Sequence, residues 1–233
     1  MNTNSNTYTV IYASIIVVVV AFLLAFVSKV LEPKSQANER IDKKKQILAA
    51  LNIRNVDKTK VEETYDKVIV ADEIIKSDGT VVNEGRDKDK AGFLLASKDV
   101  NPDQLPVYIC NVEGDVKYVF PLTGKGLWGA IRGYIALNKD RRTVYGAFFT
   151  HDSETAGLGA RITEEAFQDQ FKDKIIRKEQ SGDIILSVTK FGGVKNPEYE
   201  CDGISGATLT VNGVSAMFRD CLSNYKVFLT AND

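Results

Sequence analysis

The sequence predicts an α+β protein in which one N-terminal transmembrane helix precedes an antiparallel sheet domain with packed helices. Two observations support this prediction. No charged residue precedes Lys29, and residues 10–27 are almost unbroken apolar side chains. From Leu105 onward, apolar and polar residues alternate with the period of two that is typical of β-strands. A chain of 233 residues has room for one compact domain behind such an anchor.

Composition argues against two classes of function. The chain has 30 Lys and Arg against 31 Asp and Glu, so no overall basic field is available to hold a nucleic acid. The three cysteines, Cys110, Cys201 and Cys221, are widely spaced and form no CxxC pair. Neither a zinc nor an iron–sulfur site is expected from them, and we predict no metal site.

The anchor is predicted at Val10–Val27, within residues 1–33. As a helix this stretch is about 27 Å long, close to the roughly 30 Å of a bilayer core. A cleaved signal peptide is the alternative, but signal peptides begin with positive charge and the first eight residues have none. Glu32-Pro33 is expected to end the span. Lysines after the span favour a cytoplasmic domain, yet long domains cross regardless of local charge, so charge leaves the orientation open.

Residues 34–100 are predicted to form a stalk and a peripheral helical segment. Apolar residues at helical spacing indicate a helix at Asn38–Leu51, and a second short helix is expected at Lys58–Lys67. The charged, glycine-punctuated stretch Ile74–Ala91 is expected to be a loop or hairpin on the surface.

Residues 101–233 carry the predicted sheet domain. Leu105–Val112 and Asp115–Leu122 flank Glu113-Gly114, a two-residue hairpin turn. Further strands are predicted at Gly133–Asn138, Thr143–Thr150 and Asp183–Lys190, and helices at Glu164–Phe171 and Leu209–Val227.

The segment Gly124–Gly129 matches the pattern GxGxxG, but a dinucleotide-binding turn must open a helix within a βαβ unit. Here a strand-like alternation follows, so we reject nucleotide binding at this turn. The single tryptophan, Trp128, is expected to be a half-buried anchor in preference to a ligand platform.

A second glycine-rich loop, residues 151–159, follows a predicted strand. Its exposed N–H groups and the Thr155 hydroxyl can wrap a planar polar ligand, or the loop can be a plain turn. The only histidine, His151, is expected to be hydrogen-bonded and structural. No GxSxG is present, so a catalytic triad is unsupported and we predict no catalytic residue.

The third segment, Asp202–Thr208, reads DGISGAT and directly precedes the predicted C-terminal helix. A helix N-terminus that begins with Ser, Thr and Gly can bind a phosphate through free N–H groups. The same residues also cap helices routinely, and composition alone leaves both readings open.

DGISGAT resembles the Dxx(S/T)GAT flavinylation motif, whose last threonine receives FMN through a phosphoester bond made by a flavin transferase. Together with the letters ETAGLG at residues 154–159, with Gly126-Leu127-Trp128 and with the anchor, it makes the whole chain resemble the C-type subunits of bacterial sodium-translocating NADH:quinone oxidoreductases, a family whose members carry a covalent FMN-binding domain.

The resemblance implies one FMN per chain, attached to Thr208. The transferase would read a segment that also lines the phosphate, formed by Asp202, Ser205, Gly206 and Ala207. A second group would border the isoalloxazine ring, namely Thr155, Gly157, Leu158 and Gly159. Ala156 stands where the family usually has proline, which loosens this loop. Cys201 is expected to be a packing residue.

The implied function is electron relay through FMN within a sodium-pumping NADH:quinone oxidoreductase, with NADH oxidised on another subunit. The implied partners are the other subunits, the flavin transferase and the lipid bilayer. The family places its domain on the outer, periplasmic face of the bacterial inner membrane. The alternatives are the G subunit of an Rnf-type ferredoxin:NAD oxidoreductase, a stand-alone flavin enzyme, or a membrane-anchored scaffold without cofactor.

Overall fold

The structure is a computed structural model that describes residues 6–231, and the chain divides after Lys43 into two compact units. Most of helix α1 (Asn6–Ala50) lies in the first unit. Its most apolar 18-residue window has a mean hydropathy of 3.1 and is not buried, so by length and composition α1 can cross a membrane. The predicted break at Glu32-Pro33 is wrong, because α1 continues through Pro33. One proline removes only one backbone donor, and the turns on either side keep theirs.

The second unit begins with the last turns of α1, where Ile47 and Leu48 are fully buried. A 3₁₀ turn at Lys58–Lys60 then leads into helix α2 (Val61–Val68). The Asp57 carboxylate starts this turn by accepting the Thr59 N–H at 2.8 Å. The short helix predicted at Lys58–Lys67 is therefore present.

A six-stranded antiparallel sheet forms the centre of this unit, in the order β2-β1-β3-β4-β5-β6. The strands are β1 (Ile69–Ile75), β2 (Val81–Asn83), β3 (Leu105–Val112), β4 (Asp115–Lys125), β5 (Ala130–Leu137) and β6 (Val144–His151). The predicted hairpin turn joins β3 to β4, with φ of 54° at Glu113 and 93° at Gly114. The α+β prediction is confirmed.

Helices cover both faces of the sheet, as the alternation of side chains requires. On one face the core includes Phe120, Ile135 and Phe149, and it packs against helix α4 (Thr208–Leu222). On the other face the Tyr108 and Tyr134 rings meet edge to face at 6.2 Å. Helix α2 packs on that side, against β1 and β3.

Strands β1 and β2 come from the stretch in which we expected a stalk and a peripheral helical segment, followed by a loop or hairpin at Ile74–Ala91. The hairpin alternative is the correct one at the start of that stretch, because the end of β1 pairs antiparallel with β2. They are hydrogen-bonded into the main sheet, so the compact unit extends back to Lys44 and no structural division falls at residue 101. Within β1, the buried Asp72 interrupts the apolar alternation, so the residue pattern does not indicate a strand there.

The last third of the chain departs most from the predicted elements. The expected strand at Asp183–Lys190 is reduced to β7 (Ser187–Val188), which pairs in parallel with β8 (Glu200–Cys201) in a separate small sheet. The helix predicted at Glu164–Phe171 is the single turn α3 (Glu165–Gln168) between 3₁₀ turns. The predicted C-terminal helix is divided into α4 and α5 (Lys226–Thr230).

Candidate functional site

Thr208 is the first residue of α4, at the junction between a turn and the helix. The residue before it, Ala207, supplies no side-chain cap, and the first N–H groups of a helix have no intrahelical partner. The preceding turn contains Gly206 at φ +77°, a left-handed conformation that glycine adopts without strain. Thr208 is partly exposed, so its hydroxyl lies at an accessible helix N-terminus with a positive dipole end.

The three hydroxyls near this junction have different surroundings. Ser205 is exposed in the turn before the helix. Thr210 is buried, and its Oγ1 donates to Glu154 Oε2 at 2.6 Å. Since that hydroxyl is already engaged, only Thr208 combines accessibility with a position at the helix start.

The loop of residues 155–159 lies against this turn. A Cβ placed on Gly206 would lie 2.9 Å from Leu158 Cδ2, which shows how closely the two segments approach. The carbonyl oxygen of Thr155 accepts the N–H groups of Leu158 and Ala160, both at 3.1 Å, and this makes the loop a tight turn. The structure thus brings together the two segments that the sequence singled out.

Asp202 differs from the other motif residues in its contacts, because its side chain binds backbone N–H groups of a neighbouring loop and of the motif itself. Its Oδ1 accepts the N–H groups of Gly192 at 2.7 Å and Gly203 at 3.0 Å, so it fastens a neighbouring loop to the motif. Its own N–H donates to Gln170 Oε1 at 2.8 Å. Cys201 is buried beside it, with Sγ 3.5 Å from the Gln170 carbonyl oxygen, which agrees with the expected packing role.

Glu154 is a residue of the candidate site for which we predicted no role from the sequence. Its Oε1 accepts the Trp128 N–H at 2.8 Å, while Oε2 accepts the Thr210 hydroxyl. Its own N–H donates to His151 Nδ1 at 3.1 Å, which gives His151 the structural role that we expected. Burial acts to raise the pKa of the Glu154 carboxyl, but the hydrogen bonds from Thr210 and Trp128 outweigh it and lower that pKa. The buried group is an anion at neutral pH.

The surrounding glycines make room for this carboxylate. A Cβ on Gly159 would lie 2.5 Å from both Glu154 Oε2 and Thr210 Oγ1, and one on Gly126 would collide with Oε1. Within GxGxxG, Gly126 therefore permits close packing. In the sequence, the only signal for Glu154 was its place directly before the glycine-rich letters that contain Gly157 and Gly159.

Trp128 is 67% exposed, so the expectation of a half-buried anchor is wrong. Its backbone N–H, and not its ring, is what Glu154 holds. Other large apolar side chains of the same segments are also exposed, namely Leu127 at 45%, Leu158 at 41% and Leu209 at 60%. A polar helix terminus with exposed apolar groups around it fits a ligand that has a phosphate at one end and a flat ring at the other.

Comparisons with known proteins agree with this geometry. The FMN-binding domain family matches residues 126–223, which include Trp128, Glu154 and Thr208. The C-type subunit of the Na(+)-translocating NADH-quinone reductase from Haemophilus ducreyi is 29% identical over 92% of this chain and 88% of its own length. Its counterpart from Vibrio parahaemolyticus is 31% identical over 81% of this chain and 79% of its own.

The same relationship holds in three dimensions. The crystal structure of the C-type subunit of the Na(+)-translocating NADH-quinone reductase from Parabacteroides distasonis is 36% identical and superposes with a TM-score of 0.78. The superposition covers 87% of this chain and 98% of that one. The chain therefore belongs to the family of C-type subunits of Na(+)-translocating NADH-quinone reductases.

Proposed function

We propose that this chain is the membrane-anchored flavoprotein subunit of a Na(+)-translocating NADH-quinone reductase and that Thr208 carries its FMN. Membership of the C-type family and the match to the FMN-binding domain support the first part. The observation that carries the second part is the position of Thr208, whose hydroxyl lies at an uncapped helix N-terminus while that of Thr210 is engaged with Glu154. Every proposed site residue lies within residues 101–233.

Attachment requires an activated flavin nucleotide, because direct condensation with free FMN would have to expel water. The Thr208 hydroxyl would attack the flavin-side phosphorus of a dinucleotide such as FAD. The Thr208 O–P bond would form, the P–O–P bridge would break, AMP would leave and the hydroxyl proton would pass to solvent. The transferase that supplies this reaction would read the exposed Ser205-Gly206 turn, while the N–H groups of the first helical turn hold the phosphate.

The ring would lie over the exposed apolar groups near this helix start. Leu158 reaches Gly206 from the loop that also contains Thr155, Gly157 and Gly159. Trp128 presents an exposed ring on the segment that Glu154 links to α4. Aromatic and aliphatic surfaces of this kind would bind one face of a flavin and exclude water from it.

Bound FMN supplies one-electron transfer chemistry, and the protein's task is to hold the flavin within reach of the next centre. Partial exposure of the proposed site leaves room for such a centre on a neighbouring protein of the complex. The other subunits of the complex are this chain's partners, and α1 anchors it in the membrane. We further propose, from the family resemblance, that the FMN-bearing domain faces the periplasm of the bacterial inner membrane.

Intact mass spectrometry of the full chain, produced in a host that expresses a flavin transferase, tests the attachment. The wild-type chain should gain the mass of one FMN less one water, and Thr208→Val should gain nothing. Ser205→Ala removes an exposed hydroxyl from the turn that the transferase would read, so it should lower the FMN content without moving the attachment away from Thr208.

Peptide mapping then locates the added mass. FMN on Ser205 or Thr210, or an unchanged flavin content in Thr208→Val, would contradict the assignment. A wild-type chain that remains colourless in this host would favour a scaffold without cofactor. The Rnf-type alternative is not favoured, because the relatives described above are C-type subunits of the sodium-translocating enzyme.

A further inference from the structure

A single buried carboxylate joins two segments of the proposed flavin site that are far apart in sequence. Glu154 Oε1 accepts the Trp128 N–H at 2.8 Å, and Oε2 accepts the Thr210 hydroxyl at 2.6 Å. Only 7% of Glu154 is exposed. Each oxygen therefore binds one segment, the turn after β4 on one side and the first turn of α4 on the other.

We infer that Glu154 is a positioning residue, which holds the backbone of Trp128, and with it the turn that carries the indole ring, in place beside the flavin. The inference rests on the proposed function, because it requires the flavin on Thr208. Thr210 lies two positions after Thr208 in the same helical turn, so the carboxylate connects the attachment point to the Trp128 segment through two short hydrogen bonds.

The connection depends on an acceptor that serves both segments. Gly126 and Gly159 pack directly against the carboxylate and have no side chains. If the carboxylate is removed, small movements of these two residues therefore cannot replace it as an acceptor. Loss of one hydrogen bond to a charged acceptor favours the separated arrangement by about ten- to a hundredfold. Removing the Thr210 hydroxyl alone should therefore loosen the turn that carries Trp128 relative to the start of α4, while α4 itself stays packed on the end of β4.

Trp128 is the only tryptophan in the chain, so its emission reports on one position. A flavin next to it quenches that emission. The emission of Trp128 in the flavin-bearing full-length chain is divided by its emission in the flavin-free Thr208→Val background. This ratio measures how close Trp128 lies to the flavin. Global instability does not move this ratio as long as the chain is folded and carries its flavin.

Four variants separate positioning from mere stability. Thr210→Val and Glu154→Ala break the connection, and we expect the quenching to fall while mass spectrometry still finds FMN on the chain. Thr210→Ser restores the hydroxyl and should restore the quenching. Glu154→Gln can still accept the Trp128 N–H and donate to the Thr210 hydroxyl oxygen, so it should remain quenched. Its flavin midpoint potential should nevertheless rise, because a nearby negative charge is lost.

The outcomes distinguish the two proposals. FMN found away from Thr208 would refute the attachment site. A wild-type chain with FMN on Thr208 but no quenching of Trp128 would refute the inference alone. So would Thr210→Val with wild-type quenching, or Thr210→Ser with quenching as weak as that of Thr210→Val. If Glu154→Ala fails to fold, the two Thr210 variants still decide.

Discussion

Gly213→Ala tests how closely α4 lies on the sheet. Gly213 is in the middle of α4, and a Cβ there would overlap the Lys125 carbonyl oxygen and lie 3.2 Å from the Lys125 carbonyl carbon. The same atom would lie 3.4 Å from Gly126 Cα. These are backbone atoms at the end of β4, so no side-chain rotation can relieve the overlap.

Two opposing effects set the size of the change. Alanine in a helix interior is favoured over glycine by about 1 kcal/mol. Overpacking against a fixed neighbour costs about 1–3 kcal/mol, and backbone contact lies at the upper end of that range. We therefore expect Gly213→Ala to lower the free energy of unfolding by about 2 kcal/mol, although it improves the helix propensity.

Urea unfolding followed by Trp128 fluorescence measures this change in the full-length chain in detergent. Asn212→Ala is the matched control, because Asn212 is the exposed neighbour in the same helix, and alanine there should stabilise the chain by about 0.5 kcal/mol. If Gly213→Ala were as stable as Asn212→Ala, the close seating of α4 on β4 would be refuted. The flavin content should also fall in Gly213→Ala, because the shifted helix carries Thr208.

Three further predictions follow from particular groups. Burial raises the pKa of the Asp72 carboxyl above its ordinary 3.8, so its ionisation costs stability above the folded pKa and the cost disappears as pH falls through that value. Asp72→Asn should remove this pH dependence and be at least as stable at neutral pH, and a less stable variant in urea unfolding would contradict this. In stopped-flow mixing, NADH alone should leave the flavin oxidised in the isolated chain, whereas rapid bleaching would reveal a nicotinamide site. With Cys221→Ser as background, Lys98→Cys in intact cells should react with a membrane-impermeant maleimide, and labelling only after the inner membrane is opened would refute the periplasmic orientation.

Sequence by itself determined the features whose causes are local. Eighteen consecutive residues that are almost all apolar are enough to specify a helix that can span a membrane. The Glu113-Gly114 pair specified its hairpin because the turn needs positive φ at both positions. The start of α4 at Thr208 was also predictable to within one residue, since small and polar residues end the preceding turn there.

Local signals failed where distant residues decide the structure. Asp72 breaks the apolar pattern of β1, yet the strand forms because the N–H groups of Ala91 and Phe93 satisfy one carboxylate oxygen at 2.9 and 2.8 Å. The expectation for Trp128 failed in the same way, because its backbone N–H binds the distant Glu154 and its ring stays exposed in spite of its hydrophobicity.

The candidate site shows the same division. Its two motifs were visible in the sequence, but their contact through Leu158 and Gly206 was not. Glu154 and Thr210 are 56 positions apart, and nothing in either local pattern indicates that one binds the other. Only the packing of α4 against the end of β4 brings them together. A buried carboxylate must then find donors wherever the fold places them, because leaving it unpaired would cost more than any local preference can supply.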